Sequence, residues 1–535
     1  MNKNVQVLDC TLRDGGYIND WAFGHNVITA IYKRLEKAGV EFIEVGFLDG
    51  RRQYDNNRSI FPDTKSLNKV FADVEKHHAI PVAMIDYGTC PIENIGPASE
   101  SFIDGIRVIF KKDKIDEALP YCIKIKELGY KLFIQAISIT AYSDSELLEY
   151  VKRINQIKPY AFSIVDTYGL LDNKSMARYF YLIDNNLDPD IKIGYHEHNN
   201  FQLGFSNTLK FLEKDSRRVL VADSTIYGMG KSAGNCPTEL LAMQMNYYYD
   251  KKYDLTQLLE IIDTSIMPIY MENYWGYKLD FYISAMQKCH PSYVQYLLKK
   301  KTLSMSSVYE ILASIPDEKK LLYDKVWIEN AYFQFQSFSI DDTESYARLG
   351  QVISEYKPYK IIVIGPGESF KTFLKQYIKD ESSLLISINF IPNNLSPDFI
   401  FVSNAKRYSQ LLDTKEYNSY LNKLIVTSNI TPIGPAVGYT LNYASLVYPN
   451  ERCSDNSLLL FLQALIKINI KEVELVGFDG FDESSFNYYD KYLSFNNIDA
   501  EEYNATISEA LSVLNRNIKI HFITPSHYVA VSYTH

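Results

Sequence analysis

The segment that decides the fold reads Lys192-Ile193-Gly194-Tyr195-His196-Glu197-His198-Asn199-Asn200. Its first part is predicted to complete a β-strand, Ile191–His196, and its last part to leave that strand. Because side chains at positions i and i+2 of a strand point to the same face, His196 and His198 are expected to project together. Two neutral imidazoles at this spacing can hold one divalent cation. The alternative interpretation is a pair of surface or core histidines that bind nothing.

The first half of the chain alternates short apolar runs with amphipathic helical segments. The predicted strands are Val5–Asp9, Phe42–Phe47, Ile80–Ile85, Gly105–Phe110, Lys131–Ile137, Ala161–Val165, Ile191–His196 and Val219–Ile226. Such a series of βα units over about 240 residues is typical of a TIM barrel. A doubly wound sheet is the alternative, but a glycine-rich phosphate turn usually follows its first strand. Here Arg13-Asp14-Gly15-Gly16-Tyr17 follows instead, so we predict an α/β fold with an N-terminal (β/α)8 barrel.

Two further regions follow the predicted barrel. From about Leu255 to Lys325 the apolar spacing is helical throughout, which indicates a helical appendage and a candidate contact in a homo-oligomer. Strand patterns then resume, at Lys360–Ile364, Leu384–Ile388, Phe399–Val402, Leu424–Thr427, Val473–Val476 and Ile518–Ile523. We therefore predict three domains: residues 1–250 as the barrel, 251–330 as the helical appendage and 331–535 as a Rossmann-like α/β domain.

Composition and charge narrow the classes of function. The 535 residues include 55 Lys and Arg against 65 Asp and Glu, a net charge of -10, which argues against nucleic acid because phosphate binding needs a basic patch. The chain contains no uninterrupted run of ~18 apolar residues, so no membrane span is predicted. No signal-peptide pattern follows Met1. The 6 cysteines form no Cys-x-x-Cys motif, so neither a disulfide framework nor a zinc knuckle is indicated. We expect a cytoplasmic protein.

Polar residues gather at the predicted carboxyl ends of the barrel strands, where TIM barrels carry their reactive groups. Arg13 and Asp14 follow the first strand, Asp166 follows the sixth, and Asn235 lies in the loop after the eighth. Together with the two histidines, these residues would place a carboxylate, two imidazoles, a guanidinium and an amide at one mouth. Two His and one carboxylate form a facial set that leaves coordination positions open for a substrate. Asp166 could instead only cap the turn that follows it.

Three separated motifs occur in the order that one superfamily shows. They are Asp9-Cys10-Thr11-Leu12-Arg13-Asp14-Gly15, His196-x-His198-Asn199-Asn200 and Gly234-Asn235-x-x-Thr238-Glu239. On these motifs, about the first 245 residues resemble the HMG-CoA lyase-like superfamily (the DRE-TIM metallolyases), and they are most similar to 4-hydroxy-2-oxovalerate aldolase-like proteins. The resemblance implies that Asp14, His196 and His198 bind a divalent metal. Asn235 would be a further ligand or would support the ligands.

The activity that the resemblance implies is that of a metal-dependent aldolase or lyase. When the carbon–carbon bond breaks or forms, negative charge builds up on an enolate oxygen, and Arg13, which stays protonated, would stabilise it. The metal would be Mn²⁺ or Mg²⁺, although two imidazoles also admit Co²⁺ or Zn²⁺. The small-molecule partners would be a 2-oxo acid and an aldehyde, with a pyruvate enolate as the intermediate.

One position departs from the aldolase pattern. Those aldolases place a histidine three residues after the metal-binding aspartate, where this chain has Tyr17. Tyr17 could transfer the proton as a phenol, and His25 or a metal-bound water are the other candidates for the general base. Asp166 is the remaining candidate catalytic residue.

Two other functions are alternatives. A Claisen-type synthase would join an acyl-CoA to a 2-oxo acid and would depend on a thioester. A bifunctional or scaffold protein would bind a nucleotide or nucleotide-sugar in its C-terminal domain, where the turn Gly365-x-Gly367 could hold a phosphate at a helix N-terminus. The presence of Arg13, Asp14 and both histidines favours a catalytic barrel.

Overall fold

The computed structural model describes residues 4–300, 302–337, 339–356, 360–377, 382–430, 437–450, 452–482, 487–490, 493 and 499–528. The chain divides into two compact units, Met1–Pro291 and Ser292–His535. This division falls inside the predicted helical appendage, and the domain boundaries at residues 250 and 330 stay predictions.

The N-terminal unit contains a closed barrel of parallel strands. Its strands are β1 (Val5–Asp9), β2 (Phe42–Leu48), β3 (Ile60–Phe61), β4 (Ile80–Asp86), β5 (Gly105–Ile109), β6 (Lys131–Ala136), β7 (Ala161–Asp166), β8 (Lys192–Glu197) and β9 (Leu220–Ser224). They pair in the order β1-β9-β8-β7-β6-β5-β4-β2-β3, and β1 also pairs with β2, which closes the barrel. The predicted TIM barrel is confirmed. Only β3 was not predicted, because two residues are too few to show a pattern.

Helices follow most strands of this unit. They are α1 (Gly16–Asn19), α2 (His25–Ala38), α3 (Thr64–Val70), α4 (Ile115–Glu127), α5 (Asp144–Ile157), α6 (Asn173–Asp184), α7 (Gly204–Leu212), α8 (Thr238–Tyr248), α9 (Leu255–Ile261), α10 (Met267–Glu272) and α11 (Leu279–Met286). Helix α5 shows the local cause. Ser143 and Glu146 form a capping box at its start, and Leu147, Val151 and Ile154 recur at helical spacing on its buried face.

Alternate residues of each strand pack inside and outside the barrel. The outward residues join the helices in one large core, whereas Leu8, Phe42, Val82, Phe133 and Val221 form a separate buried cluster inside. Two residues further along the same strands, the inward positions become largely polar. An apolar layer therefore fills the amino-terminal part of the barrel, and the polar groups lie toward the carboxyl ends.

The C-terminal unit contains a second parallel sheet. Its strands are β10 (Lys360–Ile364), β11 (Ser383–Ile388), β12 (Phe399–Val402), β13 (Leu424–Thr427), β14 (Tyr439–Leu441), β15 (Glu472–Val476) and β16 (Lys519–Phe522), in the order β14-β13-β12-β11-β10-β15-β16. Its helices are α12 (Pro291–Lys299), α13 (Met305–Ala313), α14 (Asp317–Lys320), α15 (Lys325–Gln336), α16 (Thr343–Tyr356), α17 (Phe370–Gln376), α18 (Ala405–Leu412), α19 (Tyr417–Tyr420), α20 (Ser457–Lys467) and α21 (Ala500–Leu514). The predicted Rossmann-like sheet is confirmed, with β14 as an unpredicted edge strand. Among the described residues of either unit, helices long and apolar enough for a bilayer are absent.

Candidate metal centre and active site

The two histidines of the opening segment face the inside of the barrel. Their neighbours on β8 point the other way: the ring of Tyr195 stacks on Phe211 with centroids 5.1 Å apart, and Glu197 accepts a hydrogen bond of 2.8 Å from Asn207. Side chains alternate along a strand, so His196 and His198 share the inner face. Their ring centroids are 5.1 Å apart, and both residues are buried.

Asp14 reaches the same place from the other end of the barrel sequence. It lies in a π-helical turn, Thr11–Gly15, directly after β1. The indole of Trp21 donates to the Arg13 carbonyl at 2.8 Å, which helps to hold the turn. One ligand atom of Asp14 and one of each histidine lie within 4.8 Å of one another. The chain thus brings together a carboxylate and two imidazoles from about 180 residues apart.

Asn235 completes the group through the loop that follows β9. Its backbone forms an isolated bridge with His198, and the amide of Asn199 donates to the Gly234 carbonyl at 2.8 Å. The side-chain nitrogen of Asn235 donates to Asp14 Oδ2 at 2.5 Å. Its buried Oδ1 accepts no hydrogen bond within the described ranges. That oxygen is therefore available to a ligand.

The protonation states fit a bound cation. Burial alone would raise the pKa of Asp14, but the charges of Arg13, His198 and His196 outweigh it and lower the pKa. Burial lowers the pKa of His198 to about 3, against the opposing effect of Asp14. Metal ligands must be deprotonated, and these shifts favour the carboxylate and the neutral imidazole. The set of donors suits a divalent ion.

A series of buried ion pairs, which we call the salt-bridge chain, joins the two sides of the site. Arg13 Nε donates to Glu44 at 2.7 Å, Arg107 lies 3.0 Å from the same Glu44 oxygen and also pairs with Asp223, and Nδ1 of His196 lies 3.1 Å from Asp223. All of these residues are buried. Because a buried charge without a partner is costly, each member fixes the position of the next, and the orientation of Arg13 is linked to that of His196.

Tyr17 lies at the opening of the site. Its ring contacts Trp21 and Phe47 edge-on at 4.9 and 6.2 Å, and the residue is 42% exposed. The protein around the phenol disfavours its ionised form and raises the pKa of Tyr17 to about 12, although Arg13 acts in the opposite direction. The phenol is therefore protonated at neutral pH.

The structure does not bring Asp166 to this group. Asp166 is in register with Glu197, while Val165 is in register with His196, so the Asp166 side chain lies on the outer face. Its carboxylate accepts from the Leu171 amide at 2.7 Å, and burial raises its pKa to about 6. His25 begins α2, where its amide donates to Asn57 at 3.2 Å.

Three residues of the site were missed in the sequence. Arg107 and Asp223 lie within predicted strands, and a charged residue in a barrel strand was the available signal. Lys231 lies in the loop before Asn235, and its backbone amide donates to Asp14 at 3.2 Å. The sequence feature that could have identified Lys231 is that it is a single cation between the glycines of that loop.

The turn Gly365-x-Gly367 of the C-terminal unit, which was predicted as a phosphate site, already holds a carboxylate. Asp479 accepts a hydrogen bond of 2.8 Å from the Ser369 amide, and a Cβ at Gly367 would lie 2.5 Å from the Asp479 carboxyl carbon. The helix that follows, α17, has 7 residues. Binding of a nucleotide-sugar by this unit and homo-oligomerisation stay predictions.

Comparison with known proteins identifies the barrel. The family model described as HMGL-like matches residues 4–264. These residues form an HMGL-like domain. Over 272 residues, 50% of this chain and 77% of the relative, the sequence is 24% identical to the 4-hydroxy-2-oxovalerate aldolase of Bacillus cereus. It is 27% identical over 289 residues, 52% of each chain, to the protein of Methanosarcina acetivorans named "Probable 2-isopropylmalate synthase".

A solved structure is also similar to the HMGL-like domain. The hydroxymethylglutaryl-CoA lyase of Pseudomonas aeruginosa is 16% identical, with a TM-score of 0.42, and the match covers 56% of this chain and 99% of that one. The resemblance to the HMG-CoA lyase-like superfamily is confirmed. Relatives of the HMGL-like domain include an aldolase and a protein named as a probable synthase, which supports an enzyme that acts on carbon–carbon bonds.

Proposed function

We propose that the HMGL-like domain is a divalent-metal-dependent aldolase or lyase that cleaves or forms a carbon–carbon bond in a 2-oxo acid through a pyruvate enolate. The observation that supports this most directly is the convergence of Asp14, His196 and His198 within 4.8 Å beside the Arg13 guanidinium. Asn235 would add its free amide oxygen as a further ligand.

A bound divalent ion, Mn²⁺ or Mg²⁺ or else Co²⁺ or Zn²⁺, would supply Lewis-acid polarisation of the oxo and carboxylate oxygens. Arg13 has the complementary task. Its Nε donates to Glu44 and its Nη1 to Asp14, whereas Nη2 has no acceptor among the described residues. We assign Nη2 to the oxygen on which enolate charge develops, since a donor fixed in advance is worth most at that point.

The proton balance assigns a role to Tyr17. In the cleavage direction the bond between the two fragments breaks, its electron pair becomes the enolate, and the hydroxyl proton leaves as the aldehyde forms. The enolate then takes a proton at its methylene carbon to give pyruvate. Because its pKa is raised to about 12, the Tyr17 phenol is protonated at neutral pH and is in the form that donates a proton, so we assign Tyr17 to the donation. His25 remains one of the candidates for the opposite transfer.

Asp166 fits a different task from the direct catalysis predicted from the sequence. Its carboxylate binds the backbone of its own loop, at Leu171, and the carbonyl of Asp166 accepts from the His198 amide at 3.3 Å. We propose that it acts as a positioning residue, which holds the exit of β7 beside the exit of β8.

A Claisen-type synthase is the second candidate, favoured by the relative from Methanosarcina acetivorans. The same arrangement of Arg13 and the ligand set could stabilise the enolate of a thioester. Dependence of turnover on an acyl-CoA separates the two functions, because the aldolase needs only a 2-oxo acid and an aldehyde.

Two measurements on the full chain test the proposal. Metal content is determined for the wild type, for His196→Ala with His198→Ala, and for Glu197→Gln, whose side chain points away from the site. The paired histidine variant should lose the metal and the Glu197 variant should keep it. Exchange of pyruvate methyl protons in D₂O then reports enolate formation without an aldehyde. Metal retention in the histidine variant, or no exchange with Mg²⁺, Mn²⁺ or Co²⁺, would contradict the proposal.

A further inference from the structure

Lys231 is held at the site by the backbone that precedes it. A Cβ at Gly230 would lie 2.3 Å from Asp14 Oδ2 and 2.0 Å from Asn235 Nδ2, so a glycine lets the loop approach these side chains. The next amide, that of Lys231, donates to the same Asp14 oxygen. The Lys231 ammonium lies 5.6 Å from the centre of the Tyr17 ring. It therefore stands beside the proposed proton donor.

This ammonium has no carboxylate within 4.0 Å in the part of the chain that the structure describes. By contrast, arginines of the loop after β2 are paired: Arg51 with Asp49 at 2.7 Å, and Arg58 with Asp20 at 2.5 Å. Burial lowers the pKa of Lys231, while the charge of Asp14 acts against this. A half-buried cation without a neutralising partner favours an anionic ligand.

Asp86 favours the charged form of Lys231, but less strongly than Asp14 does. It is exposed, and two other cations, Arg51 and Lys111, act on its carboxyl group more strongly than Lys231 does. His290 adds no negative charge either: burial, and then the charge of Lys231, lower its pKa to about 4. The mouth thus keeps an excess of positive charge at Lys231.

The charge balance of the whole site shows what this excess would bind. The salt-bridge chain and Asp14 contain three carboxylates and two guanidiniums, one net negative charge. A divalent ion would turn this into one positive charge, and the carboxylate of a 2-oxo acid would neutralise it. Lys231 is then the cation left over, and a partly buried charge without a partner is costly.

We infer that Lys231 binds a second carboxylate of the substrate, on the fragment that leaves as the aldehyde, so that the substrate is a dicarboxylic 2-oxo acid. The inference rests on the proposed function of the HMGL-like domain. One ammonium balances one carboxylate, whereas a phosphate group would carry about 1.5 to 2 negative charges.

Ligand binding to the Mn²⁺-loaded full chain tests the inference without turnover. 2-Oxoglutarate and 2-oxopentanoate have the same carbon chain and differ by the second carboxylate. Calorimetric titration should show that the wild type binds 2-oxoglutarate about tenfold more tightly or better. Lys231→Met should reduce this ratio to about one, and Lys231→Arg should keep most of it. No preference in the wild type, or an undiminished preference in Lys231→Met, would overturn the inference.

Lys111→Met is the matched control, because Lys111 also acts on Asp86 but follows β5. An equal loss of preference in that variant would show a general positive field and would count against Lys231. Thermal unfolding checks each variant, and Lys231→Gln replaces Lys231→Met if the latter does not fold. Deuterium exchange into pyruvate separates the two proposals. Deuterium exchange without a preference for 2-oxoglutarate would refute the role of Lys231 alone. A preference for 2-oxoglutarate without deuterium exchange would refute the proposed function alone.

Discussion

Nδ1 of His196 lies 3.1 Å from the carboxylate of Asp223. This contact leaves Nε2 of the same ring for a ligand, and it fixes the ring through a carboxylate that Arg107 holds in turn. Carboxylates that bind the second nitrogen of a ligating histidine orient the ring and raise its basicity. The metal affinity of this site is therefore expected to depend on a residue that does not itself contact the ion.

Asp223→Asn should weaken Mn²⁺ binding by about 10- to 100-fold, because the imidazole loses a charged partner of nearly unchanged size. Calorimetric titration of the metal-free protein measures the change. Glu197→Gln is the control: it follows His196 directly, but its side chain is bonded to Asn207 on the outer face, and it should bind Mn²⁺ as the wild type does. Affinity within twofold of the wild type in Asp223→Asn would contradict the assignment.

Gly230→Ala should reduce metal affinity by at least about tenfold, because the new Cβ would displace Asp14 or Asn235 by more than side-chain flexibility allows. Gly96→Ala is the matched change in the same unit, since its Cβ would meet only Thr64 Oγ1, at 3.4 Å. Titration with Mn²⁺ and the unfolding temperature are measured for both. Equal effects of the two substitutions would show that the close approach at Gly230 has no special role.

Tyr17→Phe should lower kcat for aldol cleavage by about 100-fold or more, since it removes the proton donor. Metal affinity should not change, because the phenol is not among the proposed ligands. His25→Asn provides the comparison and should spare the protonation of the enolate. If Tyr17→Phe retains wild-type exchange of pyruvate protons, the donor lies elsewhere.

Asp9 should make the stability of the protein depend on pH. Burial raises its pKa to about 6, against hydrogen bonds from Thr238 and Thr11. The folded state therefore keeps a proton that the unfolded state releases between pH ~4 and ~6, so the free energy of unfolding falls as the pH rises through this window and is constant above it. The loss is on the order of 1–3 kcal/mol.

Asp9→Asn lacks this proton. Denaturant unfolding at pH 4.5 and pH 8 gives the stability difference between the wild type and the variant, and this difference should move in favour of the variant at pH 8. A difference that is the same at both pH values would mean that Asp9 titrates as an ordinary exposed carboxyl group.

The barrel and four members of the candidate site were accessible from local sequence. Apolar runs, loop residues and the two-residue period of a strand depend on neighbours in the chain, so β8 and the shared face of His196 and His198 could be predicted. Asp14 and Arg13 were predicted as members of the site from a motif directly after a predicted strand. The order of the strands around the barrel confirmed the fold.

The sequence by itself thus determined which elements form and which residue types are available at the mouth. Tertiary structure alone decided which of them meet. Strand register turned Asp166 outward beside Glu197, and it brought Arg107 from the middle of β5 to Asp223 on β9. Docking of the last barrel loop placed Lys231 next to Asp14. The physical reason is that pairing between strands far apart in the chain, and not the local pattern, sets which side chains share the interior.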